Sequence, residues 1–307
     1  MSSTQPSILQ PKTLREILLA AWRNCIANSG AAFIAAAVVL LPAAVVMSFS
    51  EYVSVNLGIP DIQKQAQAGT LSPTSIDPMA FVMLGGYTLV MYLLMFFCTF
   101  FAAVAIGRII AERAIGREIG PAAAWDFLMG ALWRLVLTAV LLGLVYVGIL
   151  SICSAPVGIV SVVRQIGSGG QATGASPLIV GIAVVLVGVP MLILGTYLAP
   201  MATAAAVEDR GSAGTLIRSF RLVAGNFGRT FLAILIGSAI MAAPMTLLGV
   251  GGQKLLAESL KASLGEANAA LVSAVPAVLA MLLVSPFMYA LQAVIYFDLR
   301  ARRDDEE

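Results

Sequence analysis

The sequence predicts an all-α polytopic membrane protein, with six transmembrane helices in three hairpins, each preceded by an amphipathic interfacial elbow helix. Composition is the first reason: of 307 residues, 60% are hydrophobic and 11% charged, against about 45–50% and about 25% in soluble domains. The second is a series of apolar runs, each long enough to cross a ~30 Å hydrocarbon core at ~1.5 Å per residue. The third is that a short amphipathic stretch precedes every second run.

Residues 1–12 are polar and Pro-punctuated, and are expected to be disordered. Residues 13–118 make the first unit. Its elbow, 13–28, puts Leu14, Ile17, Leu18, Ala21, Trp22 and Cys25 on one stripe, with Arg15, Glu16, Arg23 and Asn24 away from it. Trp22 suits an aromatic anchor at headgroup level. The first span covers 31–50. Reading it as a signal peptide is weaker, because the preceding polar region is long and the same helix-then-span unit recurs far inside the chain. Residues 51–79 form an acidic, Pro-rich loop, the expected non-cytoplasmic connection. The second span covers 79–110, and Arg108, Glu112, Arg113 and Arg117 mark its exit.

Residues 119–210 make the second unit. Gly120-Pro121 breaks the helix and restarts it, since Pro suits a first helical turn. The elbow 121–133 feeds a span over 135–162, with a bend expected at Ser151 to Pro156. A Gly/Ser-rich turn then returns the chain into a span over 178–207, which carries Pro190 and Pro200.

The third unit, 211–303, opens on the elbow 212–229, the stretch the chain is predicted to be organised around. Leu216, Ile217, Phe220, Val223, Ala224 and Phe227 fall on one side, and Arg218, Ser219, Arg221 and Asn226 on the other. Its expected setting is the membrane surface, apolar face down. Spans over 231–250 and 271–297 follow, the first ended by Gly251-Gly252 and separated from the second by a polar helix or loop. An acidic tail, 304–307, closes the chain. Sliding the sequence by about 200 positions sets Trp22-Arg23 on Phe220-Arg221, and a weaker copy sets Trp125 on Phe220, so the elbows read as an internal repeat.

Of the 18 basic residues, all but Lys64, Arg164, Lys254 and Lys261 fall in segments predicted to lie inside. The asymmetry puts both termini in the cytoplasm, in a bacterial-type inner membrane. Cys25, Cys98 and Cys153 are isolated, with no CxxC spacing, and there is no histidine. The chain therefore lacks Ser-His and Cys-His pairs and the HExxH zinc site. No metal, no cofactor and no catalytic residue is expected, and no nucleic-acid module is recognisable.

Two sets of residues stand out. Arg15, Trp22, Arg23, Trp125, Arg218, Phe220 and Arg221 are candidates for contact with membrane lipids, because basic residues near an anionic surface gain about 1 kcal/mol each. Glu112, Arg113, Asp209, Arg210, Asp298 and Arg300 are candidates for ion pairs at the inner helix ends, with Asp298 paired to Arg210 or Arg113. Within the spans, Gln292, Tyr87, Thr138 and Ser238 are the main polar residues. Ion-coupled carriers place ionisable groups there, and this chain has almost none.

Tyr296 to Arg302 (YFDLRAR), Glu208-Asp209-Arg210-Gly211, Ser219-Phe220-Arg221-Leu222 and Gly225-Asn226-Phe227 resemble the membrane domain of glycerophosphoryl diester phosphodiesterases and YciC-type proteins. That resemblance implies a six-helix membrane protein. The enzymes of that name use a separate barrel with histidines, carboxylates and a divalent metal, so what is implied is the membrane part alone, without catalysis. The expected role is contact with membrane lipids or with a membrane or cytoplasmic protein partner. The alternative is a transporter or permease component for a hydrophobic or amphiphilic molecule, which a polar cavity reaching Gln292 would favour.

Overall fold

A computed structural model describes residues 11–56, 78–167 and 177–304. The N-terminal ten residues, most of the 51–79 loop, most of the Gly/Ser-rich turn after Arg164 and the last three residues of the acidic tail lie outside the described residues. Every regular element described is helical. Six helical stretches are long and apolar enough to cross a membrane, so the chain is an all-α, multi-pass membrane protein.

Helix α1 (Leu14–Ala27) starts at a capping box. The Thr13 side chain accepts from the Glu16 N–H, and the Glu16 carboxylate accepts from the Thr13 N–H. After Asn28 comes α2 (Ser29–Asn56), and then α3 (Pro78–Ala114). The chain turns through Gly116, whose φ of +80° favours glycine, into α4 (Pro121–Gly130), with Pro121 in the first turn as expected. Next is α5 (Leu132–Gly167), continuous through Pro156, so the bend expected at Ser151 to Pro156 produces no break.

The span predicted over 178–207 is two helices, α6 (Pro177–Leu198) and α7 (Met201–Val207). Pro190 is accommodated inside α6, whereas Pro200, which has no N–H to give the carbonyl a turn earlier, separates the two. Helix α8 (Ser212–Ala224) leads to α9 (Phe227–Pro244). Gly251-Gly252 does not end the fifth span. A π-helical segment, Met245–Gly251, follows Pro244 and passes directly into α10 (Gly252–Leu264). The turn widens there, with the Gly252 N–H donating to the Leu247 carbonyl five residues back, and the helix continues. Gly265 (φ +76°) then folds α10 back onto α11 (Glu266–Ser273), and α12 (Val275–Asp304) completes the described chain.

The organising element is α12, not the 212–229 stretch. It packs against α1, α2, α3, α7, α8, α9 and the π-helical segment. From Ala290 to Leu299 nearly every side chain is buried, including Tyr296 and Asp298, because a helix surrounded by others has no outer face. The segment read as a charged exit is thus enclosed by protein on nearly all sides. Around it α2 pairs with α3, and α5 lies against α6 and α8. Small residues allow the close approaches: a Cβ on Gly107 would sit 3.2 Å from Thr203 Oγ1, where α3 meets α7. A Cβ on Gly181 or Gly188 of α6 would meet only open space.

Candidate functional site

Antiparallel succession brings the start of α2, the end of α3, all of α4, the α7–α8 junction, the start of α9 and the end of α12 to one end of the bundle. Contacts across these elements establish it. Arg113 of α3 donates to the Ala27 carbonyl and to Asn28 Oδ1, both at 2.8 Å. Arg134 of α5 pairs with Asp209, and Arg303 of α12 donates to the Arg221 carbonyl of α8 at 2.5 Å.

Two carboxylates anchor this end. Glu208 follows α7, and its Oε1 accepts from the Tyr296 hydroxyl at 2.8 Å and from Arg218 Nε at 3.1 Å. Its Oε2 lies 2.5 Å from Arg210 Nε. Burial pulls this carboxyl upward. The bonds from Tyr296 and Arg218, with the charges of Arg218 and Arg210, outweigh that and hold it below the usual carboxylate range. Arg300 reaches the same Tyr296 hydroxyl.

Asp298, 1% exposed, is the second anchor. Its Oδ1 accepts from the Lys12 backbone N–H at 2.6 Å, and its Oδ2 lies 3.2 Å from Arg302 Nε and 3.5 Å from Arg229 Nε. Arg302 also donates to the Lys12 carbonyl at 2.9 Å, so both described ends of the chain are tied together. Asp298 does not pair with Arg210 or Arg113 as expected. Arg210 is taken by Glu208, and Arg113 reaches Asn28 and, at 3.9 Å, Glu118. Glu112 pairs with Arg108 at 2.5 Å and Arg117 at 3.9 Å. Arg108 further donates to the Ala206 carbonyl and lies 4.9 Å over the Phe127 ring, fastening α3 to α7 and α4.

The residues predicted to meet lipid divide into two groups. Arg218 is engaged by Glu208 with 17% of its side chain exposed, and Phe220 stacks on Tyr197 with ring centroids 5.1 Å apart. Helix α8 is rotated from the expected setting: Ser219 and Thr215 are buried, Ile217 is exposed, and the inward face packs on α5, α6 and α7. The Ser219 hydroxyl donates at 2.6 Å to the Tyr197 carbonyl, in the last turn before the Pro200 break.

Arg15, Arg23 and Arg221, by contrast, are exposed and have no side-chain partner among the described residues. On α1, Ile17 and Ala21 are buried against the bundle. The opposite face carries Leu19, Trp22 and Ile26, exposed by 40–56%, with Arg15 and Arg23 beside them. Trp22 touches Phe287 edge-on at 5.9 Å. Trp125, 43% exposed, and Trp133 face outward from α4 and the start of α5. Sequence periodicity alone did not single out Glu208, Tyr296, Arg229, Arg134 or Arg108 as site residues; their partners lie on other helices.

Among the polar residues of the spans, Tyr87 donates to the Val46 carbonyl and Thr138 to the Arg134 carbonyl, while Ser238 is exposed. Gln292 faces a cleft between α3, α5, α6, α7 and α12. Among the described residues no group of His, Cys, Asp and Glu could hold a metal ion. Comparison of the chain with protein-family models, with curated proteins and with solved structures found no match.

Proposed function

We propose that this protein is a non-catalytic component of a bacterial-type inner membrane that gathers anionic lipid headgroups around the charged end of its bundle, with both termini on the cytoplasmic side. The observation that carries the reading is the outward face of α1: Leu19, Trp22 and Ile26 form an apolar stripe beside Arg15 and Arg23, which have no side-chain partner among the described residues. Tryptophan prefers the membrane interface, and each nearby cation adds about 1 kcal/mol of attraction to an anionic surface. Arg221 is a further exposed cation at the same end of the bundle, on α8, whereas Arg218 is spent on Glu208.

The test is lipid enrichment. Protein extracted with native nanodiscs from mixed phosphatidylglycerol and phosphatidylethanolamine membranes should be enriched in phosphatidylglycerol over the bulk. Arg15→Glu/Arg23→Glu/Arg221→Glu should return the ratio to the bulk value, and an unchanged ratio would defeat the reading. The cleft at Gln292 favours a second reading, a permease for an uncharged amphiphile. Protein-dependent movement of such a molecule across proteoliposomes would support it.

A further inference from the structure

The cleft has a volume of about 280 Å³, near the lower end of small-molecule sites. It exists because Pro200 parts α6 from α7 and because Gly195, Ala103 and Ala202 leave their positions unfilled. No residue that lines it carries a formal charge at neutral pH. Four polar side chains face it. The Thr99 hydroxyl is used, donating to backbone carbonyls of its own helix at 2.8–2.9 Å. The hydroxyls of Tyr146 and Tyr289 and the amide of Gln292 have no hydrogen-bond partner among the described residues, and Tyr289 is only 8% exposed. Tyr289 and Gln292 lie one turn apart on the same face of α12.

A buried polar group is expected to be satisfied, and the buried Tyr289 hydroxyl, converging on one space with the half-buried Tyr146 and Gln292, marks a place for a ligand that supplies their partners. The chemistry of that ligand is constrained. A charged head would lose its hydration with no countercharge to meet it. Gln292 offers both a donor and an acceptor, and each tyrosine a hydroxyl, which suits a head bearing hydroxyls and a carbonyl. Phe96, Phe100 and Leu198 supply an apolar wall for the start of one alkyl chain.

We propose that the cleft binds an uncharged single-chain lipid of the monoacylglycerol class, with its head on Gln292, Tyr289 and Tyr146. This site is independent of the headgroup patch on α1 and involves none of its residues. It is tested by photolabelling the full-length protein in phosphatidylcholine nanodiscs with a monoacylglycerol carrying a diazirine near the ester, followed by peptide mapping.

Labelling is expected between Phe96 and Ala103 and between Tyr289 and Gln292. Unlabelled monooleoylglycerol should compete with it, but oleate and lysophosphatidylcholine should not. Gln292→Leu should cut labelling about tenfold without lowering the thermal midpoint, since an unsatisfied amide is replaced by an apolar side chain. Tyr289→Phe, which removes one oxygen, gives a second measure and should reduce labelling severalfold. Labelling unchanged in both variants, equal competition by oleate, or label spread over lipid-facing residues such as Leu89 and Leu186 would overturn the proposal.

Discussion

Asp298 concentrates the electrostatics of the molecule. Its carboxylate is almost fully enclosed, and it meets a backbone N–H, Arg302 and Arg229. Removing one partner of a buried ion pair leaves the other charge uncompensated, at a cost of about 3–5 kcal/mol. Asp298→Ala should therefore lower stability by about that amount in a denaturant titration in mild detergent. Adding Arg229→Met should recover part of the loss, because the stranded guanidinium disappears with it. Glu208 makes a pH prediction. Its carboxyl is held below its ordinary value in the folded protein, so its stabilisation is fully present above the unfolded-state value and is lost as pH falls through the folded one. Thermal midpoints should drop on acidification below the usual carboxylate range of about 4–4.5. Glu208→Gln should be less stable at pH 7 and should show a shallower drop.

At the scale of single helices, α1 and α8 show how far sequence pattern reaches. The inward stripe of α1 was legible because periodicity identifies a face that avoids water, and Ile17 and Ala21 are on it. Trp22 was read on the same stripe but is turned outward; both a protein neighbour and a lipid neighbour select apolar residues, so hydrophobicity cannot separate them. The face of α8 departs from the one its periodicity predicts for a different reason. Ser219 is buried because a carbonyl next to the Pro200 break needs a donor, and that carbonyl is 22 residues away in sequence. Arg218→Glu and Arg221→Glu should accordingly behave differently. The first sets a carboxylate against Glu208 and should destabilise the bundle by about 3 kcal/mol or more. The second changes an exposed side chain and should leave stability within about 0.5 kcal/mol while weakening headgroup contact.

For the whole molecule, the six apolar spans were readable from length and hydropathy, since little but a membrane span tolerates such runs. The centre was not. The motif Tyr296-Phe297-Asp298-Leu299-Arg300 looks like a solvated helix end, yet it is enclosed because α1, α8 and α9 close around it. The tie from Lys12 to Asp298 and Arg302 puts both described ends at one end of the bundle, so cysteines placed at positions 11 and 303 should react with a membrane-impermeant maleimide from the same side.

The most direct test of the account is the depth of Trp22. In a Trp125→Phe/Trp133→Phe background it is the sole tryptophan of the chain, which contains 3 in all, and its fluorescence can be quenched by lipids brominated at successive acyl carbons. An interfacial α1 predicts the strongest quenching from bromines nearest the headgroups, deepening no further as phosphatidylglycerol is added. Maximal quenching from bromines near the chain ends would put Trp22 at the bilayer centre and contradict it.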